Sequence, residues 1–154
     1  MLVLFDEKLK DIALKIRDIA HKLGLIADYV VEEDTATTLY GTITTTWHYK
    51  KYNSGFVELV GYRTSSFVAG NFTAWGSLYT GIISGANFPF TLKTLWGAEC
   101  HVYDIDGVYT FMDATVNASD PKPSTTYTGG FCVVRTSKVA CSIQVTYKAW
   151  GTWK

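Results

Sequence analysis

The stretch that decides the fold is LYGTITTTWHYKKYNSGFVELVGYRT, residues 39–64. Large apolar or aromatic residues alternate with polar ones on both sides of Asn53-Ser54-Gly55. Such alternation is typical of half-buried β-strands, and Gly supplies the positive φ that a tight hairpin turn needs. We therefore predict a β-hairpin here, with strands at 39–51 and 56–64.

The chain after this hairpin has the same character. Aromatic residues make up 15% of the sequence, and Gly residues punctuate it. Further strands are predicted at 78–84, 90–95, 99–105, 109–114, 130–136 and 140–150, with a hairpin turn at Asp106-Gly107. Many short strands at close spacing favour an antiparallel β-sandwich or jelly-roll-like domain, which we place at residues 40–154.

The N-terminal segment has a different period. Its apolar residues recur at alternating steps of three and four, and they are Leu2, Phe5, Leu9, Ile12, Ile16, Ile19, Leu23 and Ile26. This is a heptad pattern with Leu9 and Ile16 at a positions and Ile12 and Ile19 at d positions. It predicts an amphipathic stalk helix over residues 1–27, with Gly24 at its end and a linker over 28–39 before the β-domain.

The apolar stripe of this helix has two possible partners. It can pack against the chain's own sheet, or against the same stripe in other copies of the chain. We favour the second because the stripe is narrow and isolated helices of this length are marginal in water. Ile at both a and d favours three or more helices over two. The expectation is a homotrimeric coiled coil formed by the eight stripe residues.

Composition excludes several classes of partner. The 154 residues suit one domain, and 14 Lys plus Arg balance 14 Asp plus Glu. A net charge of zero provides no field for nucleic acid or for an anionic membrane. No apolar run reaches the length of about 20 residues that spans a bilayer, and the N-terminus lacks the features of a secretion signal. We expect a protein made in the cytoplasm, without membrane insertion.

The residues that carry enzyme chemistry do not form a recognisable motif. His21 lies on the helix, His48 lies in a strand, and Cys100-His101 are strand neighbours that point to opposite faces. Cys132 and Cys141 flank a predicted turn and are expected to be free thiols in a reducing cytoplasm. No catalytic residue, metal site or cofactor is predicted.

Several pieces of the sequence resemble one family. Residues 47–58, WHYKKYNSGFVE, are similar to the W-x-Y-x-K-W/Y-x-S-G-x-x-E stretch of C-terminal domains of bacteriophage tail-fibre and head-fibre proteins. Residues 74–79 (AWGSLY), 88–90 (FPF) and 129–131 (GGF) and the final Trp153-Lys154 follow in the order seen in that family.

The resemblance implies a homotrimeric fibre on the virion, attached to other virion proteins, whose C-terminal β-domain binds a surface ligand of the host bacterium, often a carbohydrate. No ligand-binding residue is carried over from it. The alternatives are a capsid head-fibre or decoration protein with a purely structural role, and a non-catalytic lectin-like domain. From their positions, the candidate ligand contacts are Tyr62 and Arg63 at a strand end and Lys122 and Tyr127 in the long loop at 117–130.

Overall fold

In the described part of the chain, one α-helix is followed by nine strands, with a short 3-10 helix at Ala69–Asn71 between the third and fourth strands. The computed structural model describes residues 2–24, 28–105, 113–116 and 122–154. The elements are α1 (Leu2–Lys22), β1 (Val30–Tyr40), β2 (Ile43–Tyr52), β3 (Phe56–Phe67), β4 (Phe72–Trp75), β5 (Leu78–Ile83), β6 (Thr94–Asp104), β7 (Asp113–Val116), β8 (Phe131–Arg135) and β9 (Cys141–Thr152).

The strands form two antiparallel sheets. A five-stranded sheet has the order β1-β2-β3-β9-β6, and a four-stranded sheet has the order β4-β5-β8-β7. β9, the last strand along the chain, is therefore inserted between β3 and β6 in the middle of the larger sheet. The prediction of a mainly β protein with one N-terminal helix is confirmed.

Both sheets contribute side chains to one core. Phe131 on β8 and Tyr147 on β9 approach with ring centroids 5.8 Å apart, and Phe67 on β3 lies 4.8 Å from Phe72 on β4. These pairs join the larger sheet to the smaller one, as expected of a sandwich. Burying an aliphatic or aromatic side chain of this size contributes about 1.5 to 3 kcal/mol, so this shared core holds the sheets together.

α1 begins at Leu2 and ends at Lys22, five residues before the predicted end at residue 27. Gly24 has a φ of +69°, and its N–H donates to the His21 carbonyl at 2.8 Å. The left-handed conformation, which Gly adopts at little cost, turns the chain out of the helix. The prediction that Gly24 ends α1 is confirmed.

The hairpin between β2 and β3 is also confirmed. The Gly55 N–H donates to the Tyr52 carbonyl at 3.0 Å, and Gly55 has a φ of +97°. The turn fixes which residues of β3 face the core. Val57 and Leu59 point inward, whereas Glu58 and its outward neighbours form part of the opposite face.

The linker predicted at 28–39 is wrong for most of its length, because β1 occupies Val30–Tyr40. β1 pairs with β2 throughout and forms one edge of the larger sheet. Its charged and Thr-rich sequence suits an edge strand, where charges hinder pairing with other chains. The predicted strand at 39–51 is accordingly split by a turn at Gly41, which has a φ of +59°.

Two other strand boundaries also differ from the predictions. Residues 90–93 are not in a strand, and β6 runs from Thr94 to Asp104 as one element. Phe90 instead packs edge-to-face on Tyr49, with ring centroids 4.9 Å apart. β4 was not predicted. The expected turn at Asp106-Gly107 and most of the strand expected at 109–114 lie outside the described residues.

Candidate functional site

One residue after the helix contacts the polar side of α1. The Tyr29 hydroxyl donates to the Leu14 carbonyl at 3.2 Å, and its ring lies edge-on to His21 with centroids 6.4 Å apart. The Arg17 guanidinium carbon is 6.0 Å from the centre of the same ring. In the heptad assignment these three helix residues occupy b and f positions, so Tyr29 lies opposite the a and d stripe.

Five residues of the apolar stripe are exposed in the described part of this chain. More than half of the surface of each of the following stripe residues is exposed: Leu9, Ile12, Ile16, Ile19 and Leu23. Leu2 and Phe5 belong to the first turns of the same helix, and Ile26 lies outside the described residues. The alternative in which the stripe packs on the chain's own sheet is not the arrangement seen for these five residues.

Two of the four candidate ligand contacts are buried, contrary to the setting expected for them. Tyr127 is only 6% exposed; its hydroxyl accepts a hydrogen bond from the Gly85 N–H at 2.9 Å, and its ring lies 4.9 Å from that of Tyr40. Arg63 is 5% exposed and donates to the Ser84 carbonyl at 2.9 Å. Neither residue presents a surface to a ligand.

The other two candidates are exposed but lie apart from each other along the fold. Lys122 is exposed in the loop before β8. Tyr62 lies in the middle of β3 rather than at a strand end, on the outward face of the larger sheet. Its ring stacks on His48 of β2, with centroids 5.8 Å apart and planes 18° apart. Tyr62 is thus the candidate that belongs to a larger surface feature.

His48 borders a cavity on this outward face. The cavity has a volume of about 400 Å³ and is lined by Glu33, Asp34, Thr35, His48, Tyr49, Lys50, Glu58 and Val60. The His48 Nδ1 and the Thr35 Oγ1 are hydrogen-bonded at 2.9 Å, which fixes the imidazole against β1. Lys50 Nζ lies 3.1 Å from Glu33 Oε1 along the cavity wall.

A second cavity adjoins the first across β3. It has a volume of about 280 Å³ and is lined by Phe56, Glu58, Leu59, Val60, Lys148, Ala149 and Trp150. Glu58 and Val60 line both cavities, because β3 lies between β2 and β9. We call the two cavities together the outer groove.

The Trp150 ring lies over Gly97 of β6. A Cβ at Gly97 would lie 2.5 Å from Trp150 Cζ2, so the ring occupies space that only Gly leaves open. Gly97 is paired with Trp150 next to a register shift between Leu95 and Gly97. Trp150 and Glu58, its partner on β3, both line the second cavity.

The charges of the outer groove are mostly paired. Lys148 Nζ lies 3.5 Å from Glu99 Oε1, in addition to the contact between Lys50 and Glu33. The Tyr52 hydroxyl donates to Glu58 Oε2 at 2.7 Å. That bond to a carboxylate, with partial burial, raises the pKa of Tyr52 and orients the Glu58 side chain at the junction of the cavities.

The cysteines and His101 lie elsewhere. Cys100 points into the core and His101 points outward, as expected of strand neighbours, and His101 Nε2 lies 3.5 Å from Glu99 Oε1. Burial raises the pKa of Cys100 to about 12. Cys132 on β8 is a free thiol, and Cys141 Sγ on β9 accepts a hydrogen bond from Arg135 Nη1 at 2.9 Å.

Comparison with protein-family models, curated proteins and solved structures gives no match for this chain. Among the described residues, α1 is too polar to qualify as a membrane-spanning helix. Sequence reasoning missed the outer groove, although one signal was present. Glu58, Val60 and Tyr62 occupy alternate positions of a strong strand pattern, so they share one face.

Proposed function

We propose that this chain is a bacteriophage fibre protein, a homotrimer in the virion whose β-domain binds a ligand on the host cell surface. The observation that carries the proposal is the uncovered stripe of α1. Tyr29 binds the b and f side of the helix, and the described a and d residues, from Leu9 to Leu23, are exposed. A stripe with heptad spacing is complementary to copies of itself.

The resemblance of residues 47–58 to fibre domains supports the same assignment. In the structure this stretch forms the β2–β3 hairpin, and its Trp47 and Tyr49 are core residues. Trp47 and Tyr49 therefore have a role in the fold, whereas Glu58 of the same stretch is exposed on the outward face of β3. Three copies on one stalk would bring three weak sites together and raise avidity through effective concentration.

Sedimentation equilibrium at micromolar concentration tests the assembly. The expected mass is three times the 17.1 kDa of one chain. Ile16→Asp should dissociate the trimer, because each copy would place a carboxylate in the apolar seam at a cost of several kcal/mol. Leu14→Asp is the matched control: Leu14 is also an exposed apolar residue of α1, but it lies at an f position.

A monomer or dimer for the unaltered chain would overturn the trimeric fibre. Equal effects of the two Asp variants would overturn the role of the stripe. Immunogold labelling of phage particles then locates the protein. Label on the tail supports a tail fibre, label on the head favours the head-fibre or decoration alternative, and unlabelled particles would exclude a virion protein.

A further inference from the structure

We infer that the outer groove binds a neutral glycan, with a pyranose ring stacked at Trp150 and its hydroxyl groups bound by Glu58 and Lys148. This inference rests on the proposed host-binding function and gives it a site and a ligand class. Tyr62 and Arg63 do not form this site together, because Arg63 is buried.

The second cavity combines an aromatic ring with hydrogen-bonding side chains. The flat apolar face of a sugar ring packs on an aromatic ring, whereas its hydroxyl groups need hydrogen-bonding partners at the edge. Trp150 is 36% exposed and lines the second cavity, together with the Glu58 carboxylate and the Lys148 ammonium group. The cavity thus offers an aromatic surface, an acceptor and a donor within one concave site.

The side chains of the outer groove are held in place by their neighbours before a ligand binds. The Trp150 ring is held over Gly97, and the Glu58 carboxylate is held by the Tyr52 hydroxyl at 2.7 Å. His48 is likewise held between Thr35 and Tyr62. Groups that are already fixed lose little conformational entropy when a ligand binds, so more of the contact energy is expressed as affinity.

The outer groove is long enough for more than one sugar unit. Trp150 lies on β9 and His48 on β2, with β3 between them. Adjacent strands are about 4.8 Å apart, so the groove extends across roughly 10 Å of sheet. The Trp150 and His48 rings at its two ends suit consecutive sugar units of an oligosaccharide rather than one isolated sugar ring.

The charge of the groove disfavours an anionic ligand. Both lysines that line it are engaged by carboxylates, Lys50 by Glu33 and Lys148 by Glu99. Asp34 and Glu58 line the same surface. Phosphate or carboxylate groups of a glycan would meet these acids beside lysines whose charges are offset by Glu33 and Glu99, which disfavours such a glycan relative to a neutral one. The Lys148 ammonium group has three N–H donors and can still donate to a neutral hydroxyl group.

The test uses the full chain on an array of neutral oligosaccharides of glucose, galactose and N-acetylglucosamine, with matched oligosaccharides that carry uronic acid or phosphate. The best neutral ligand is then titrated by calorimetry. Trp150→Ala and Glu58→Gln should each weaken binding by about tenfold or more. Trp75→Ala is the matched control, since Trp75 is exposed on the other sheet, and its affinity should equal that of the unaltered chain.

Gly97→Ala provides a second, independent variant, because a methyl group there would displace the Trp150 ring without removing it. We expect weaker glycan binding with the trimer mass unchanged. Circular dichroism of each variant shows whether it is folded.

Four results would overturn the inference: no glycan bound, only acidic glycans bound, full affinity in Trp150→Ala, or a changed sedimentation mass in Trp150→Ala, which would make this face a contact between subunits. In the first three cases a trimer of the unaltered chain and label on virions would leave the fibre proposal intact. Conversely, a monomeric chain that still binds neutral glycans through Trp150 would overturn the fibre and retain the glycan site.

Discussion

The indole ring of Trp47 on β2 lies against the backbone of Gly61 on β3, its partner in the strand register. A Cβ at residue 61 would lie 2.7 Å from Trp47 Cε3. Trp47 is fully buried, and its Nε1 donates to Thr38 Oγ1 at 3.0 Å. The ring has no room to move without breaking that bond or disturbing the core.

Gly61→Ala should therefore lower the free energy of unfolding by about 1 to 3 kcal/mol, the usual effect of overpacking a core. Urea unfolding measures this change in the free energy of unfolding. Gly70→Ala is the control, because a Cβ at Gly70 meets nothing within 4 Å, and its effect should stay within about 0.5 kcal/mol. A similar effect of both substitutions would contradict the close contact.

Lys51 should contribute more to stability than its neighbour Lys50. The Lys51 Nζ lies 2.9 Å from Glu32 Oε1 and 4.2 Å from the centre of the Phe90 ring, and the side chain is largely buried. Lys51→Met removes a charge-assisted hydrogen bond and a cation–π contact, at a cost of about 1 to 3 kcal/mol.

The matched substitution is Lys50→Met. The ion pair of Lys50 with Glu33 is exposed, and exposed pairs contribute about 0 to 1 kcal/mol. Thermal unfolding of both variants at the same ionic strength gives the comparison. If Lys50→Met costs as much as Lys51→Met, the aromatic surroundings of Lys51 have no stabilising effect.

The buried Cys100 thiol should make the protein less stable in alkaline solution. Burial raises its pKa from 9.0 to about 12. Between these values the unfolded chain loses the proton and the folded chain keeps it, so stability that is complete below pH 9 declines as the pH rises. The slope is about 1.4 kcal/mol per pH unit for one such group.

Urea unfolding at pH 8, 9 and 10 checks this expectation. Cys100→Ala lowers stability at every pH because it leaves a cavity, but its curve should fall less steeply above pH 9. Parallel curves of unfolding free energy against pH for the two proteins would show that the Cys100 thiol does not contribute to the loss of stability above pH 9. The pKa of Tyr49 is also raised, to about 12, by burial and by its hydrogen bond to Glu32, and this residue is present in both proteins.

Arg63→Met should leave the protein as stable as before, or more stable. The Arg63 Nε and Nη1 are buried with no hydrogen-bond partner in the described part of the chain. The Ser84 carbonyl, which accepts from Arg63 Nη2, also accepts from the Tyr147 hydroxyl at 2.7 Å. The Ser84 carbonyl would therefore keep a hydrogen-bond donor after the substitution. An apolar side chain of similar length removes the cost of a desolvated cation.

Differential scanning calorimetry measures the effect. A loss of more than about 2 kcal/mol, the size expected when a paired buried charge loses its partner, would show that Arg63 has a counter-ion. The variant should also retain full glycan affinity, since the side chain does not reach the outer groove.

Local sequence signals predicted α1 and the β2–β3 hairpin. The heptad spacing and Gly24 act within one helix, and Gly55 acts within one turn, so neither depends on distant parts of the chain. β1 was not predicted, because its strand structure depends on pairing with another segment. Its residues have the composition of a linker, and they form a strand only because β2 provides a partner along its whole length.

The burial of Tyr127 also depends on a distant segment. A bridge between Asn87 and Tyr127 joins two loops that are far apart in sequence, and this brings the Tyr127 hydroxyl to the Gly85 N–H. Composition marks residues 117–130 as a loop but does not show which loop residues are covered. The sequence therefore predicts an exposed Tyr127, whereas the side chain is buried.

The outer groove required knowledge of strand order. Glu58 and Trp150 are opposite each other only because β9 pairs with β3 along its full length. Alternation shows that Glu58, Val60 and Tyr62 share a face, but it does not show which strand lies beside them. The sequence accordingly led to single candidates such as Tyr62, and the register was needed to assemble a site from four strands.

The position of β9 has a consequence for biosynthesis. Until residues 141–152 have left the ribosome, β3 and β6 have no partner between them, and the larger sheet stays in two separate parts. The sheet must therefore be completed late, after most of the chain has been translated. Premature termination before residue 141 would leave two open strand edges, and such fragments should be removed by proteases or aggregate rather than enter an assembly.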